Sequence, residues 1–548
     1  MAAVCGLSLG TGQELGARTG NEAEPMRRFE KTQILKNVGS SWSALAMNVL
    51  VGIFLTPFIL HRLGDAAYGI WVLIFSVTGY YGLFDLGIRS SIVRYVSKYT
   101  ATGDNEKLAQ FVSTALFSYT CIGVVSIALT ASLSASVEHL FKIPPEMHSQ
   151  ARLLLLMVGA SVSLGFPLGV FGGMLEGLQR FYILNWTSIG STLLRAALIV
   201  HFLNRGYGLI TVALITVTLP ILSSILRGII VFRFWPVRVG LRYVDKESFR
   251  NMATYGGTTF LVIVAGQLRF RTDELVLGGM MSTVAITYFS IGARIVDYAQ
   301  QFVSSLAQIF IPMASQSEAK GELDRLQKVY IAGNRVCALL ILPITIILIL
   351  LGKHVIRIWV GARYIPHSYP VLVVLIIPFA LSLMQSASGR VLFGIGKHQS
   401  YAKVTLLEGV ANLILSIALV PPLGVVGDAL GTAIPLCCTF LLFMPRHLKK
   451  QLGVPISSFV RQAYSLPLLL NLPLVGVVWL ANRYFTPKNL IQLMMEVGAA
   501  LLIYGIGVLW AYKTGRMLQV TKSAAPVQPL ALRVATEPVI SVEYQEES

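Results

Sequence analysis

The chain has 548 residues, of which 55% are hydrophobic and 13% charged, and its formal net charge is +18. Soluble globular proteins carry about 25% charged residues, so the composition excludes an ordinary soluble enzyme, and the surplus of Lys and Arg reads as basic cytoplasmic loops rather than a nucleic-acid surface. The five cysteines (Cys5, Cys121, Cys337, Cys437, Cys438) share no repeated spacing and lie mostly in apolar runs, which excludes a disulfide framework or a zinc site.

Residues 1–30 are expected to be a disordered tail. They have no basic region leading into an apolar one, so they are no secretory signal. Met26, followed by Arg27 and Arg28, reads as an alternative start.

A hydrocarbon core of about 30 Å needs roughly 20 apolar helical residues. Segments of that kind are expected at 38–60, 67–88, 111–134, 152–174, 183–204, 207–232, 255–280, 283–312, 330–352, 368–394, 403–422, 425–445, 463–482 and 490–512. Roughly 25 Lys and Arg fall on the side of the two termini and about nine on the other, which predicts cytoplasmic termini. The basic linker 233–254 (Arg233, Arg238, Arg242, Lys246, Arg250) is the strongest signal. Lys353, Arg357 and Arg363 dissent, and HVIRIWVGARY is expected to lie at the interface as an amphipathic helix.

The chain repeats at a period of about 217 residues, the mark of duplicated transporter halves. Gly177 falls on Gly394, Arg180 on Lys397 and Arg195 on Asn412, and SKYTATGDNEKLAQ resembles SQSEAKGELDRLQK. The expected fold is an all-α integral membrane protein with about 14 transmembrane helices. Residues 31–232 form an N-lobe of spans 1–6, and 255–450 form a C-lobe of spans 7–12. Spans 13 and 14 fill 451–515, and 516–548 form a disordered cytoplasmic tail. Prolines such as Pro167, Pro220, Pro343 and Pro378 inside spans bend helices, as opening to two sides requires.

Ionisable residues inside spans face a cavity or a partner. Arg269, Arg271, Asp273 and Glu274 in span 7 stand opposite Arg294 and Asp297 in span 8, with Arg195 in span 5, Arg390 in span 10 and Glu408 in span 11. Guanidinium groups bind phosphate bidentately and stay charged. Arg195, Arg269, Arg271 and Arg294 are therefore read as a cationic site for a diphosphate head group, with Asn48 as a polar neighbour. Asp273, Glu274, Asp297 and Glu408 are read as acids that balance the charge or take up a coupling proton or cation. Internal salt bridging that neutralises each pair is the competing reading. Asn48 also fits an interhelical hydrogen bond. Metalloprotease, Walker A and Cys-x-x-Cys signatures are missing. The expectation is no catalytic residue, no metal ligand, no cofactor and no enzyme activity.

The stretch TPFILHRLGDAAYGIW, Thr56 to Trp71, resembles the first hairpin of bacterial polysaccharide-repeat flippases (Wzx type). RTDELVLGGMMSTVAITY, Arg271 to Tyr288, resembles the span 7–8 hairpin of the same family. The resemblance covers about residues 30–450. It implies a member of the polysaccharide biosynthesis family within the multidrug/oligosaccharidyl-lipid/polysaccharide exporter superfamily. Such a protein translocates undecaprenyl-pyrophosphate-linked oligosaccharide repeat units across the bacterial inner membrane by alternating access. The family's cationic cavity maps onto Arg195, Arg269, Arg271 and Arg294 by position in the spans. The implied partners are the lipid-linked oligosaccharide, membrane lipid, a polysaccharide polymerase and a chain-length regulator, with no nucleic acid. A cation-coupled multidrug exporter, a lipid II flippase and a membrane glycan polymerase stand as alternatives. The absence of a charge in mid-span 1 counts against lipid II.

Overall fold

The computed structural model describes residues 23–517 and Gln519, with side chains from Lys36 onward except at positions 38, 255–259, 261, 262 and 270. Its α-helices run in chain order as α1 (Ala23–Leu63), α2 (Asp65–Gly79), α3 (Ile88–Thr102), α4 (Asn105–Leu140), α5 (His148–Gly177) and α6 (Phe181–Asn204). Then follow α7 (Leu209–Phe234), α8 (Lys246–Met280), α9 (Thr283–Ala307), α10 (Phe310–Ala319), α11 (Leu323–Trp359) and α12 (Ile365–Met384). The last are α13 (Ser386–Gly394), α14 (Gln399–Leu423), α15 (Val425–Cys438), α16 (Met444–Leu452), α17 (Ile456–Tyr484) and α18 (Leu490–Lys513).

Among the described residues, twelve helical stretches are long and apolar enough to cross a bilayer. Helices α8 and α9, at 35 and 25 residues, have the length but carry the charges discussed below. The expected all-α, multi-pass membrane architecture is thus borne out. Outward faces are apolar: Leu468, Leu469 and Leu472 on α17 and Leu502 and Ile506 on α18 are each more than half exposed. Apolar surface on this scale belongs in lipid.

Packing divides the chain into two compact units. The first comprises the described residues up to Leu63, with Tyr81–Ser136 and Ser149–Phe260. Its core joins Ile92 and Val96 of α3, Phe111 and Val112 of α4, Met174 of α5 and Val231 of α7. Helix α1 packs on α6, where Asn185 Nδ2 donates to Ser40 Oγ at 2.9 Å and Asn37 Nδ2 to the Gln179 carbonyl at 2.9 Å. The linker ends at Asp245, which accepts the Ser248 N–H at 2.8 Å and so caps α8. That backbone bond holds the half-buried Asp245 carboxyl below the usual carboxylate range.

The second unit comprises Gly64–Tyr80, Val137–His148 and the described residues from Leu261 onward. Helix α2, placed in the N-lobe by chain order, packs here on α9. Gly69 permits the approach, since a Cβ there would sit 1.8 Å from the Thr283 carbonyl oxygen. Helices α17 and α18 dock on α11 through Leu339, Leu351, Leu474, Val478, Leu493 and Tyr504.

The duplication has a backbone signature inside each unit. Left-handed residues recur at the repeat spacing: Gly103 (φ 69°) with Gly321 (φ 67°), Gln179 (57°) with Gly396 (68°), and Gly206 (84°) with Gly424 (60°). Gly177 lets α5 meet α3 at the Val93 carbonyl, and Gly394 lets α13 meet α10 at the Ile311 carbonyl.

Span 2 runs over Asp65–Asp85, close to expectation, its last residues Tyr80–Asp85 forming a 3-10 turn ahead of Leu86 and Gly87, both at positive φ. Three expectations need correction. Span 10 is two helices, α12 and α13, parted at Gln385. HVIRIW is no separate interfacial helix but the last turns of α11, because nothing before Trp359 breaks that helix. Residues 23–30 of the expected N-terminal tail belong to α1, while the reading of residues 1–22 lies outside the described residues. At the other end the buried Arg335 donates to the carbonyls of Arg516 (3.0 Å), Met517 (2.7 Å) and Gln519 (3.0 Å), which pins the start of the C-terminal segment. The rest of 520–548 lies outside the described residues.

Candidate functional site

Helix α8 carries chemistry on two faces of the second unit. On one face, Arg269 and Asp273 are four residues apart and therefore stack along the helix. Both are buried, at 8% and 7% exposure. Asp273 Oδ1 accepts from Asn412 Nδ2 of α14 at 3.1 Å, and Oδ2 accepts from Thr432 Oγ1 of α15 at 2.9 Å. Ser416, one turn beyond Asn412, donates to Asn412 Oδ1 at 3.0 Å. Arg269 Nε lies 2.9 Å from Glu408 Oε1, a buried ion pair one turn along from Asp273.

Asp428 of α15 completes this cluster. It is 0% exposed, neither carboxylate oxygen has a hydrogen-bond partner among the described residues, and Asp273 is an electrostatic neighbour. A carboxylate buried in this way is strongly unfavourable unless a proton or cation neutralises it. Glycines pull the helices together around it. A Cβ on Gly431 would meet Ser416 Oγ at 2.2 Å, and one on Gly409 would meet Leu268 Cβ at 2.8 Å.

The other face of α8 presents Arg271 and Glu274. Arg271 is exposed and its side chain passes Gly79, whose added Cβ would lie 3.4 Å from Nε. Glu274 is half-buried, with Arg271, Arg294 and Asp297 as electrostatic neighbours. Arg294 is half-buried and has Tyr68 of α2 and Asp297 beside it. Neither Arg271 nor Arg294 is in an ion pair within 4.0 Å among the described residues. Tyr80, which follows α2, shares a 2.9 Å hydrogen bond with Thr272.

In the first unit, Arg195 is half-buried on α6, three residues after Thr192. Thr192 donates to Asn48 Oδ1 at 3.2 Å, while Asn48 Nδ2 donates to the Ala44 carbonyl at 2.8 Å. The Asn48 amide therefore ties α1 to α6. Tyr119 donates to Asp85, so that acid is engaged inside the unit as well.

Of the residues expected from sequence, Asp273, Arg269 and Glu408 come together on one face. Arg271, Glu274, Arg294 and Asp297 come together on the other. Asp428, Thr432 and Ser416 were missed as site residues, and Asn412 was noted only as the repeat partner of Arg195. The available signal was Asp428 itself, an acid followed by an unbroken apolar run, with Thr432 one turn on.

Solved structures share the fold. The chain is similar to the lipid II flippase MurJ in an inward closed conformation, with TM-score 0.68, 16% identity and coverage of 88% of this chain and 99% of that one. It is also similar to an inward-facing multidrug-resistance transporter of the MATE family, with TM-score 0.63, 16% identity and coverage of 75% and 95%. Among curated proteins it is 24% identical over 441 residues to the uncharacterized membrane protein EpsK of Bacillus subtilis (strain 168), covering 78% of this chain and 85% of that protein. It is 21% identical over 424 residues to a putative O-antigen transporter of Shigella flexneri, covering 75% and 96%. The family model for polysaccharide biosynthesis proteins matches residues 34–318, more than half of the chain. The chain belongs to the polysaccharide biosynthesis protein family.

Proposed function

We propose that this protein is a flippase that moves an isoprenoid-diphosphate-linked oligosaccharide repeat unit, undecaprenyl pyrophosphate being the expected carrier, across the inner membrane for surface polysaccharide export. The observation that carries this reading is the pair of guanidinium groups, Arg271 and Arg294, beside Glu274 and without an ion pair within 4.0 Å among the described residues. A guanidinium that makes no direct ion pair inside a membrane helix is costly, and a diphosphate supplies the bidentate oxygen acceptor that the planar fork lacks there. Arg195, half-buried on α6 of the first unit, is by itself assigned to contact with an anionic group of the substrate.

The buried cluster on the other face of α8 is assigned to energy coupling. Asp273, Asp428, Asn412, Thr432 and Ser416 offer hard oxygen donors suited to a small cation. A cation that binds this cluster in one conformation and leaves it in the other drives alternating access by population shift. Glu408, one turn away, is assigned to the same coupling route. Glu274 and Asp297 balance the charge of Arg271 and Arg294. The basic loops on the side of the two termini support cytoplasmic termini, and a polysaccharide polymerase and a chain-length regulator are the expected partners.

The relatives that support this reading include two putative O-antigen transporters and a probable glycan-biosynthesis flippase of Haloferax volcanii. Sealed vesicles loaded with a radiolabelled isoprenoid-diphosphate oligosaccharide test it. The expected result is transfer of the labelled lipid to the opposite leaflet with its glycan unchanged. A new glycosidic bond in the product contradicts the reading in favour of a polymerase. Efflux of amphipathic dyes with no lipid transfer contradicts it in favour of a drug exporter.

A further inference from the structure

A cavity of about 330 Å³ opens inside the second unit, lined among others by Arg269, Gln300, Gln385, Arg390, Tyr401 and Thr405. Its lining includes Arg269, one helical turn from Asp273 on α8. Along α14 the residues Tyr401, Thr405, Glu408, Asn412 and Ser416 are three or four apart and share one face. Tyr401 and Thr405 line the cavity, Glu408 holds Arg269, and Asn412 and Ser416 belong to the cluster. The Arg269–Glu408 pair therefore stands between the cavity and the buried carboxylates. Gly409 keeps α14 tight against Leu268 at this level.

Arg269 has a second carboxylate within reach. Asp273 is one turn away, about 6 Å along the axis at 1.5 Å per residue, and i,i+4 side chains of opposite charge meet readily. With Asp428 unpartnered beside it, an empty cluster would hold two carboxylates with no cation.

We propose that Arg269 is a tethered competitor of the coupling cation, held by Glu408 while the cation occupies the Asp273–Asp428 cluster and swinging to Asp273 when the cation departs through the cavity. Glu408 is then the parking place that keeps the guanidinium off the site. The ion pair both closes the route from the cavity and supplies one positive charge in place of the departing cation's, and Glu408 takes up a proton as it loses the guanidinium. This inference rests on the coupling role assigned above to Asp273 and Asp428.

The test is the Na⁺ concentration at the midpoint of the sodium-dependent rise in thermal stability of the purified full-length protein. Removing the competitor in Arg269→Gln, which leaves Glu408 a hydrogen-bond donor, is expected to lower the midpoint about tenfold. Glu408→Gln, which frees the competitor, is expected to raise it severalfold. The double variant decides between competition and simple through-space charge. Under competition Glu408 acts only through Arg269, so the double variant matches Arg269→Gln. Under additive electrostatics it returns to the wild-type midpoint, and that return overturns the proposal. Should Arg269→Gln not fold, an unchanged midpoint in Glu408→Gln still overturns the proposal. A wild-type protein with no sodium response, or with the same response in Asp273→Asn, sinks instead the coupling assignment on which the proposal rests.

Discussion

Cells carrying Asp273→Asn are expected to export surface glycan at about one hundredth of the wild-type rate or less, with the protein still present in the membrane at normal amounts. The substitution is nearly isosteric. An amide at position 273 still accepts from Asn412 or Thr432, so the contacts that join α8, α14 and α15 largely persist. What disappears is one of two adjacent buried negative charges. Losing a charged ligand from a buried site weakens cation binding by about 3 kcal/mol, roughly a hundredfold. Asp428→Asn is expected to act the same way, because its oxygens have no other described partner. Quantifying cell-surface glycan alongside membrane abundance checks both. Normal export in either variant contradicts the coupling assignment.

Arg294→Ala is expected to abolish export for a different reason, and a charge-conserving exchange separates the two. Arg294 is in no ion pair within 4.0 Å among the described residues, so its removal breaks no direct contact of the kind that removal of Arg269 would break with Glu408, although Glu274 and Asp297 lose a nearby positive charge. The loss is of charge-assisted hydrogen bonds to the substrate's diphosphate, each contributing about 1.5–3 kcal/mol. Two such bonds amount to at least a hundredfold in rate. Arg294→Lys keeps the charge but not the planar fork, and is expected to restore only part of the activity. Full rescue by Lys would show that position 294 supplies charge alone. Sodium-dependent stabilisation should remain intact in both variants, unlike in Asp273→Asn.

The membrane architecture was legible because it rests on length and apolarity alone. Fourteen runs could be counted without knowing their partners, and the repeat could be read from loops such as SKYTATGDNEKLAQ, whose Gly103 and Gly321 adopt matching left-handed turns. Packing was less legible. Chain order puts α2 with the N-terminal spans, whereas Gly69 seats it on α9, and no periodicity reports on a single close approach. The charges of α8 were visible, but depth along a helix is not direction around it. Arg269 and Arg271 are two residues apart and point to different neighbours, one to Glu408 and the other past Gly79. Asp428 escaped notice because it lies four residues after Gly424, where an acid reads as part of a helix end. Only the packing of α15 against α14 through Gly427 and Gly431 shows that it is buried.

The central claim is transfer of an intact lipid-linked glycan. It is tested most directly with purified protein in liposomes that carry an isoprenoid-diphosphate oligosaccharide in one leaflet, read by the access of an external lectin to the glycan. The account predicts that wild-type protein under an imposed cation gradient exposes the glycan. It predicts that Arg294→Ala and Asp273→Asn leave the glycan at the level of protein-free liposomes. Lectin access equal in all four preparations would contradict it.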